Sequence, residues 1–311
     1  MNIRQIEYVL AVAKHKNFGK AAESCFVTQS TLSTMVNRFE KELDVMIFDR
    51  KTKPVSITHE GQAVINQLHI INREVANLEE LVKNLKGEFR GSLHIGIIPT
   101  IAPFIFPLII NDFSKSYPDV NFKITEMPTA KIINSLMTRD LDVGIVSIPL
   151  KHPELEEIHL YSESFLIYDK GNDGSSKTVE INTIDVNRLW LLEEGHCMKN
   201  QVEQICGLRQ KKQIHSNLSY KSGSIPTLMK LVDHNNGLTL LPYLSTIDMT
   251  ETQKKFLKTF SDPVPVREVG LLIHKHFVKR DLLSKMKESI NNRIHPILTQ
   301  AKKTAIFNPL D

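Results

Sequence analysis

Cysteine is scarce in this chain: Cys25, Cys197 and Cys206 are the three among 311 residues. So small and odd a number excludes the disulfide framework of a secreted domain. The opening MNIRQIEYVLAVAKHKNF has no apolar run long enough for a signal peptide. A long hydrophobic span is missing too. The uncharged stretch SLHIGIIPTIAPFIFPLIIN is broken by Pro99, Pro103 and Pro107, so it reads as a buried strand (Leu93 to Ile98), a turn and an apolar helix opening near Pro103 rather than a membrane crossing. A cytoplasmic protein with reduced thiols and no membrane partner is expected. Strong charge of one sign is also lacking. The formal net charge is +4, and residues 1–60 carry nine Lys/Arg against seven Asp/Glu, too small an excess to establish nucleic-acid binding by itself. What is present, 41% hydrophobic and 24% charged residues, is ordinary globular usage with length for two or three domains.

Pattern is more informative than charge in the first sixty residues. Apolar periodicity predicts helices over Ile3 to Lys14, Phe18 to Cys25 and Thr31 to Leu43. Ala21 and Ala22 let two helices cross closely, Val27 occupies the turn, and Leu32 and Val36 point inward on the next helix, which is the chemistry of a helix-turn-helix. Thr28 is the expected N-cap. Gln29, Ser30, Thr31, Ser33 and Thr34 then occupy the first turns of that helix, where a recognition helix meets base edges and phosphates. A capped, solvated helix end would carry the same residue types. The longer stretch AAESCFVTQSTLSTMVNRFEKELDVMIFDRKTKPVSITHEG resembles the winged helix-turn-helix of LysR-type transcriptional regulators, with its alanine pair, TQSTLS turn and ITHEG closing the wing. That resemblance implies a DNA-binding domain over residues 1–58, with Arg50, Lys51 and Lys53 of the wing neutralising phosphates of a double-stranded operator. One departure is Asp44, where the family usually has glycine after the helix; aspartate tolerates a left-handed cap less well.

A long helix follows, roughly Thr58 to Lys86. Its apolar positions Leu68, Ile71, Val75, Leu78, Val82 and Leu85 step by three and four, the spacing of a coiled-coil dimer seam, although a monomeric helix could bury the same stripe on its own domain; by resemblance it is the family's linker helix, over residues 59–88. Beyond Gly87 and Gly91, strands alternate with helices: LHIGII, a helix to Ser116, VNFKITEM, a helix from Ala130 to Thr138, and LDVGIVSI. FLIYDK, RLWLLEE, a helix near Ile225 to Val232 and GLTLLP make a second unit; EVGLLIH and a helix from Arg280 to about Ile294 return to the first. The fold class is therefore α/β overall. By resemblance the family's two-lobed, periplasmic-binding-protein-like effector domain spans 89–302, lobe I taking about 89–161 and 267–302 and lobe II about 162–266, with a tail over 303–311.

Two of the three cysteines lie in GHCMKNQVEQIC after the apolar LWLL. Cys197 is expected near a helix N-terminus, where the dipole favours thiolate, with His196 and Lys199 acting the same way and Glu193 and Glu194 against it. Across a helix, nine rises separate Cys197 and Cys206 by roughly 13 Å, while a disulfide needs Cα atoms about 4.4 to 6.8 Å apart. Spacing alone is equally compatible with two inert buried thiols. However, GHCMKNQVEQIC, MNIRQIEY, HIGIIPT and GLTLLP are similar to the matching stretches of the family's peroxide-sensing members. The resemblance implies that Cys197 reacts with hydrogen peroxide, that Cys206 resolves it as a Cys197–Cys206 disulfide in the oxidised form, and that Thr100, Thr129, His196 and Arg267 surround the peroxide. Otherwise Thr100 and Thr129 would cap helices, Arg267 would pair with a carboxylate, and Cys25 is a small core residue in either case. The expected protein is a regulator rather than an enzyme, without cofactor or metal, with DNA, peroxide, RNA polymerase and its own copies (dimer or tetramer) as partners. An organic effector in the cleft and a thiol peroxidase are the alternatives.

Overall fold

The computed structural model describes residues 1–85, 91–171, 177–192, 197–207, 224–298 and 306–307. It divides into two compact units, Met1–Glu88 and Phe89–Asp311.

The first unit opens with α1 (Ile3–His15), started by an Asn2/Gln5 capping box. α2 (Phe18–Ser24) is capped by Asn17, and α3 (Gln29–Leu43) by Thr28, whose hydroxyl accepts from the Thr31 amide. α3 thus starts two residues before the periodicity suggested, because the polar Gln29 and Ser30 carry no apolar signal but are already helical. Ala21 and Ala22 are buried at the crossing, beside Val9, Leu32, Val36 and Phe39. Asp44 takes the left-handed cap at φ 53, as the departure from glycine requires. The wing is β1 (Phe48–Asp49) paired antiparallel with β2 (Ser56–Ile57). α4 (His59–Leu85) follows at once. Gly61 sits where a Cβ would come within 2.3 Å of the Ile47 carbonyl oxygen, so the glycine of ITHEG lets α4 start against the wing's entry strand.

In the second unit, β3 (Gly91–Ile97), α5 (Ala102–Ser116), β4 (Val120–Glu126), α6 (Thr129–Met137) and β5 (Val143–Ile148) alternate. β3 runs parallel to both β4 and β5. β6 (Leu155–Asp169) is one long strand whose first part pairs with β10 (Val264–His274) and whose last part, from Phe165, pairs with β8 (Leu238–Pro242). β7 (Thr178–Val179), α7 (Cys197–Ile205), α8 (Ile225–His234), α9 (Glu251–Lys254) and β9 (Leu257–Phe260) belong to the later part of the chain. α10 (Arg280–Leu298) and β11 (Ile306–Phe307) come last. The sheet order is β4-β3-β5-β10-β6-β9-β7, with β8 on β6 and β11 on β10. Two apolar clusters fill the unit. One holds residues of β3, α5, β5, β10 and α10; the other holds Phe165, Ile167, Tyr168, Met198, Val202, Ile205, Leu228 and Val232 among others.

The strand expected at LWLL is reduced to a single bridge, Leu189 to Leu238, with Trp190 bonded on both sides to β8 residues. Leu189 and Leu192 are buried and Trp190 and Leu191 half-buried, so the run packs as apolar chain without continuing the pairing beyond that bridge. Among the described residues, no helix is long and apolar enough to cross a membrane.

Candidate functional site

Gln29, Ser30, Thr31 and Thr34 are exposed on the first turns of α3, and Ser33 is half-buried. Arg50 does not stand free on the wing as expected. Its guanidinium reaches Glu40 at 2.9 Å and the Ser33 hydroxyl at 3.1 Å, and stacks over the Phe18 ring at 4.7 Å. The second oxygen of Glu40 accepts from the amides of Ile47 and Phe48 at 2.7 and 3.0 Å. Glu40 therefore ties the wing to α3 through one carboxylate, a role that nothing in the spacing of MVNRFEKEL announced. Lys51 and Lys53 remain exposed at the tip, as a phosphate contact requires.

The apolar stripe of α4 divides between two environments. Leu68 is buried at 3% exposure and Ile71 packs beside it, both on the unit's own core. Val75 is half-buried, whereas Leu78 and Val82 are 62% and 47% exposed. The dimer-seam expectation is corrected for Leu68, which the unit's own core already covers, while Ile71 is half-buried beside it; the side chain of Leu85 lies outside the described residues. Leu78 and Val82 keep the apolar exposure that a partner helix would cover.

In the second unit Arg267 and Glu163 face each other in register on β10 and β6, one residue before β6 passes from β10 to β8. Both side chains are buried. The arginine Nε donates to Glu163 at 2.9 Å, with Nη2 2.8 Å from the same oxygen, while Nη1 reaches the Thr100 hydroxyl at 3.2 Å and Nη2 the Thr100 carbonyl at 3.1 Å. The other Glu163 oxygen accepts from the Leu244 amide at 2.8 Å. Arg267 thus does pair with a carboxylate, and it holds Thr100 as well. All three guanidinium nitrogens thus donate a hydrogen bond. Thr100 bonds the arginine rather than capping α5, whose cap position, Ile101, makes no side-chain bond. Thr129 is buried as the first residue of α6. Tyr161, two residues before Glu163 on the same face, is buried in this neighbourhood, and burial, reinforced by the Glu163 charge, pushes its hydroxyl well above the usual range.

Cys197 is the first residue of α7 and Cys206 the residue after its last, still bonded helically through its amide to Val202 at 3.0 Å. The intervening residues are helical, so the expected separation of about 13 Å applies. Cys206 is a half-buried thiol, and burial pushes its pKa up to about 12. The Cys197 side chain and His196 lie outside the described residues, so the structure brings Thr100 and Arg267 together with Glu163 but is silent on their distance to the sulfur. Cys25 closes α2 as its C-cap and is half-buried against the first unit's core.

Residues 3–62 match the family described as "Bacterial regulatory helix-turn-helix protein, lysR family", and residues 86–292 match "LysR substrate binding domain". The chain is similar to the "DNA-binding transcriptional dual regulator OxyR" of Escherichia coli, 29% identical with 98% of this chain and 100% of the relative covered. It is 31% identical to the "Hydrogen peroxide-inducible genes activator" of Dickeya chrysanthemi over 79% of this chain and 80% of that one. Among solved structures it resembles full-length OxyR from Pseudomonas aeruginosa, with a TM-score of 0.73, 26% identity, and 94% and 98% of the two chains covered.

Proposed function

The chain belongs to the LysR family of transcriptional regulators, and from that membership we propose that it is a DNA-binding activator that senses hydrogen peroxide through reversible formation of a Cys197–Cys206 disulfide. The observation that supports this reading is the position of the two cysteine residues at opposite ends of one helix, together with similarity over nearly the whole chain to peroxide-inducible activators.

The chemistry proceeds in two displacements. The Cys197 thiolate, favoured at the positive end of α7, attacks one peroxide oxygen; an S–O bond forms as the O–O bond breaks, and the departing hydroxide takes up a proton to become water. The Cys206 thiolate then attacks the sulfenic sulfur, the S–S bond forms, and hydroxide leaves to become a second water. Thr100, Thr129, His196 and Arg267 surround the peroxide in this proposal, hydroxyls donating and accepting while Nη1 of Arg267 stabilises the leaving hydroxide. Because a disulfide cannot span about 13 Å, α7 must unwind when it closes. The change is then read by DNA-binding domains paired through Leu78 and Val82, in a dimer or tetramer that acts with RNA polymerase on an interrupted palindrome in the cytoplasm.

Peptide mapping of the full-length protein after micromolar peroxide, alongside transcription from a responsive promoter, tests the proposal. A Cys197–Cys206 cross-link is expected, with the response lost in Cys197→Ser, oxidation stalled at sulfenic acid in Cys206→Ser, and Cys25→Ser unaffected. Two reduced thiols during a full transcriptional response would transfer the reading to an organic effector. Repeated peroxide turnover with a thiol reductant would transfer it to a peroxidase.

A further inference from the structure

Phe26 is 95% exposed, the most exposed large hydrophobic side chain among the described residues. It is also the one aromatic residue there with a left-handed backbone, at φ 56, a conformation that bulky side chains adopt only under constraint. The constraint is the turn itself: the Phe26 amide bonds Glu23 at 3.2 Å and the Val27 amide bonds Ala22 at 3.1 Å, closing α2 before Thr28 caps α3. An exposed ring in a strained turn stabilises nothing within this unit. Asparagine or glycine would relieve the backbone and remove the apolar surface together.

The ring stands two residues before the cap of α3, at the edge of the surface where Gln29, Ser30 and Thr31 are exposed. When the first turns of a recognition helix enter the major groove, the preceding turn lies at the groove's lip. A phenyl ring can neither donate nor accept a hydrogen bond and has no charge for a phosphate. The apolar group that the major groove offers is the thymine C5-methyl. We infer that Phe26 is a specificity-determining residue that packs against a thymine methyl at the edge of each operator half-site. The inference rests on the DNA-binding reading of α3 and extends it to one base.

The test uses the reduced full-length protein and a duplex that it selects from a randomised pool. Affinity is measured by fluorescence anisotropy, with thymines replaced by uracil one at a time, for the wild type, Phe26→Asn and Phe26→Gly. Both variants accept the left-handed turn and should unfold at or above the wild-type temperature. The expected result is a loss of about tenfold in affinity for the selected duplex in both variants, and one uracil position per half-site that weakens the wild type but not the variants. Wild-type affinity in both variants would overturn the inference, as would uracil effects of equal size in variant and wild type. A wild-type protein that enriches no duplex would instead sink the DNA-binding reading on which the inference depends.

Discussion

Arg267 and Glu163 show why one member of a site can be read from a motif and the other cannot. VREVGLL marked the arginine, but its carboxylate lies 104 positions earlier and meets it through the register of two antiparallel strands, which local pattern does not encode. Cys206 shows a different limit: the motif marked it as a thiol, but its protonation depends on what buries it. Its ordinary value near 9 is raised to about 12 by burial. Between those values the folded reduced chain keeps a proton that the unfolded chain gives up, so protons bound on folding exceed those bound on unfolding and stability falls as pH rises. The reduced wild type should therefore lose more stability between pH 8 and pH 10 than Cys206→Ser, in which the thiol is absent. Equal losses in urea melts of the two proteins at those pH values would mean that Cys206 is solvated in the folded state. In the proposed switch the same burial keeps Cys206 protonated, and so a poor nucleophile, at neutral pH until α7 opens, which would order the two displacements.

In the proposed switch α7 is the element that has to open. Gln201 is fully buried, yet among the described residues neither of its side-chain polar atoms has a hydrogen-bond partner, and the side-chain amide oxygen of Gln204 is buried without one as well. Leaving such groups buried and unbonded costs about 1–3 kcal/mol each, in a helix of nine residues whose apolar face supplies most of its stability. Replacing Gln201 by leucine removes the unpaired amide at nearly constant volume. The reduced protein should gain about 1 kcal/mol, Cys197 should oxidise at the wild-type rate, and disulfide closure should slow about fivefold or more because a firmer helix must unwind. Rapid-quench thiol trapping separates the two steps; unchanged closure with increased stability would remove Gln201 from the opening mechanism. The existence of α7 was legible, since HCMKNQVEQIC follows a turn and carries apolar residues at helical spacing. Which of its polar residues would be buried was not, because Gln at a helical position looks the same solvated or enclosed. α4 makes the parallel point: periodicity revealed the stripe from Leu68 onward but not the place where it leaves the domain's own core for solvent.

At the scale of the whole molecule, the question is how a rearrangement of nine residues becomes a change that the promoter registers. Met198, Val202 and Ile205 are at most 4% exposed and belong to the second apolar cluster of the effector unit, together with residues of β6, α8 and β8. Exposing three such side chains costs roughly 5–9 kcal/mol at about 1.5–3 kcal/mol each, an upper bound because unfolded references overstate burial. That is comparable with a typical domain's whole stability of about 5–15 kcal/mol. Simple melting of α7 would therefore leave the cluster close to collapse. On the proposed mechanism the oxidised segment has to bury those residues again elsewhere, which would change both the surface it leaves and the surface it covers. Hydrogen exchange on the full-length protein before and after peroxide should show amides 201–205 losing protection by a factor of ten or more, while amides of α8 and β8 keep theirs and a hydrophobic dye binds no more strongly than to the reduced form. Loss of protection throughout α8 and β8 with bright dye binding would indicate partial unfolding of the unit rather than a switch between two packed states. Unchanged protection over 201–205 in protein with a mapped Cys197–Cys206 bond would contradict the opening of α7, because helical spacing and a disulfide cannot coexist across that segment. The same comparison in Cys206→Ser, oxidised only to sulfenic acid, should leave α7 protected, which would place the structural change at closure of the S–S bond rather than at the first encounter with peroxide.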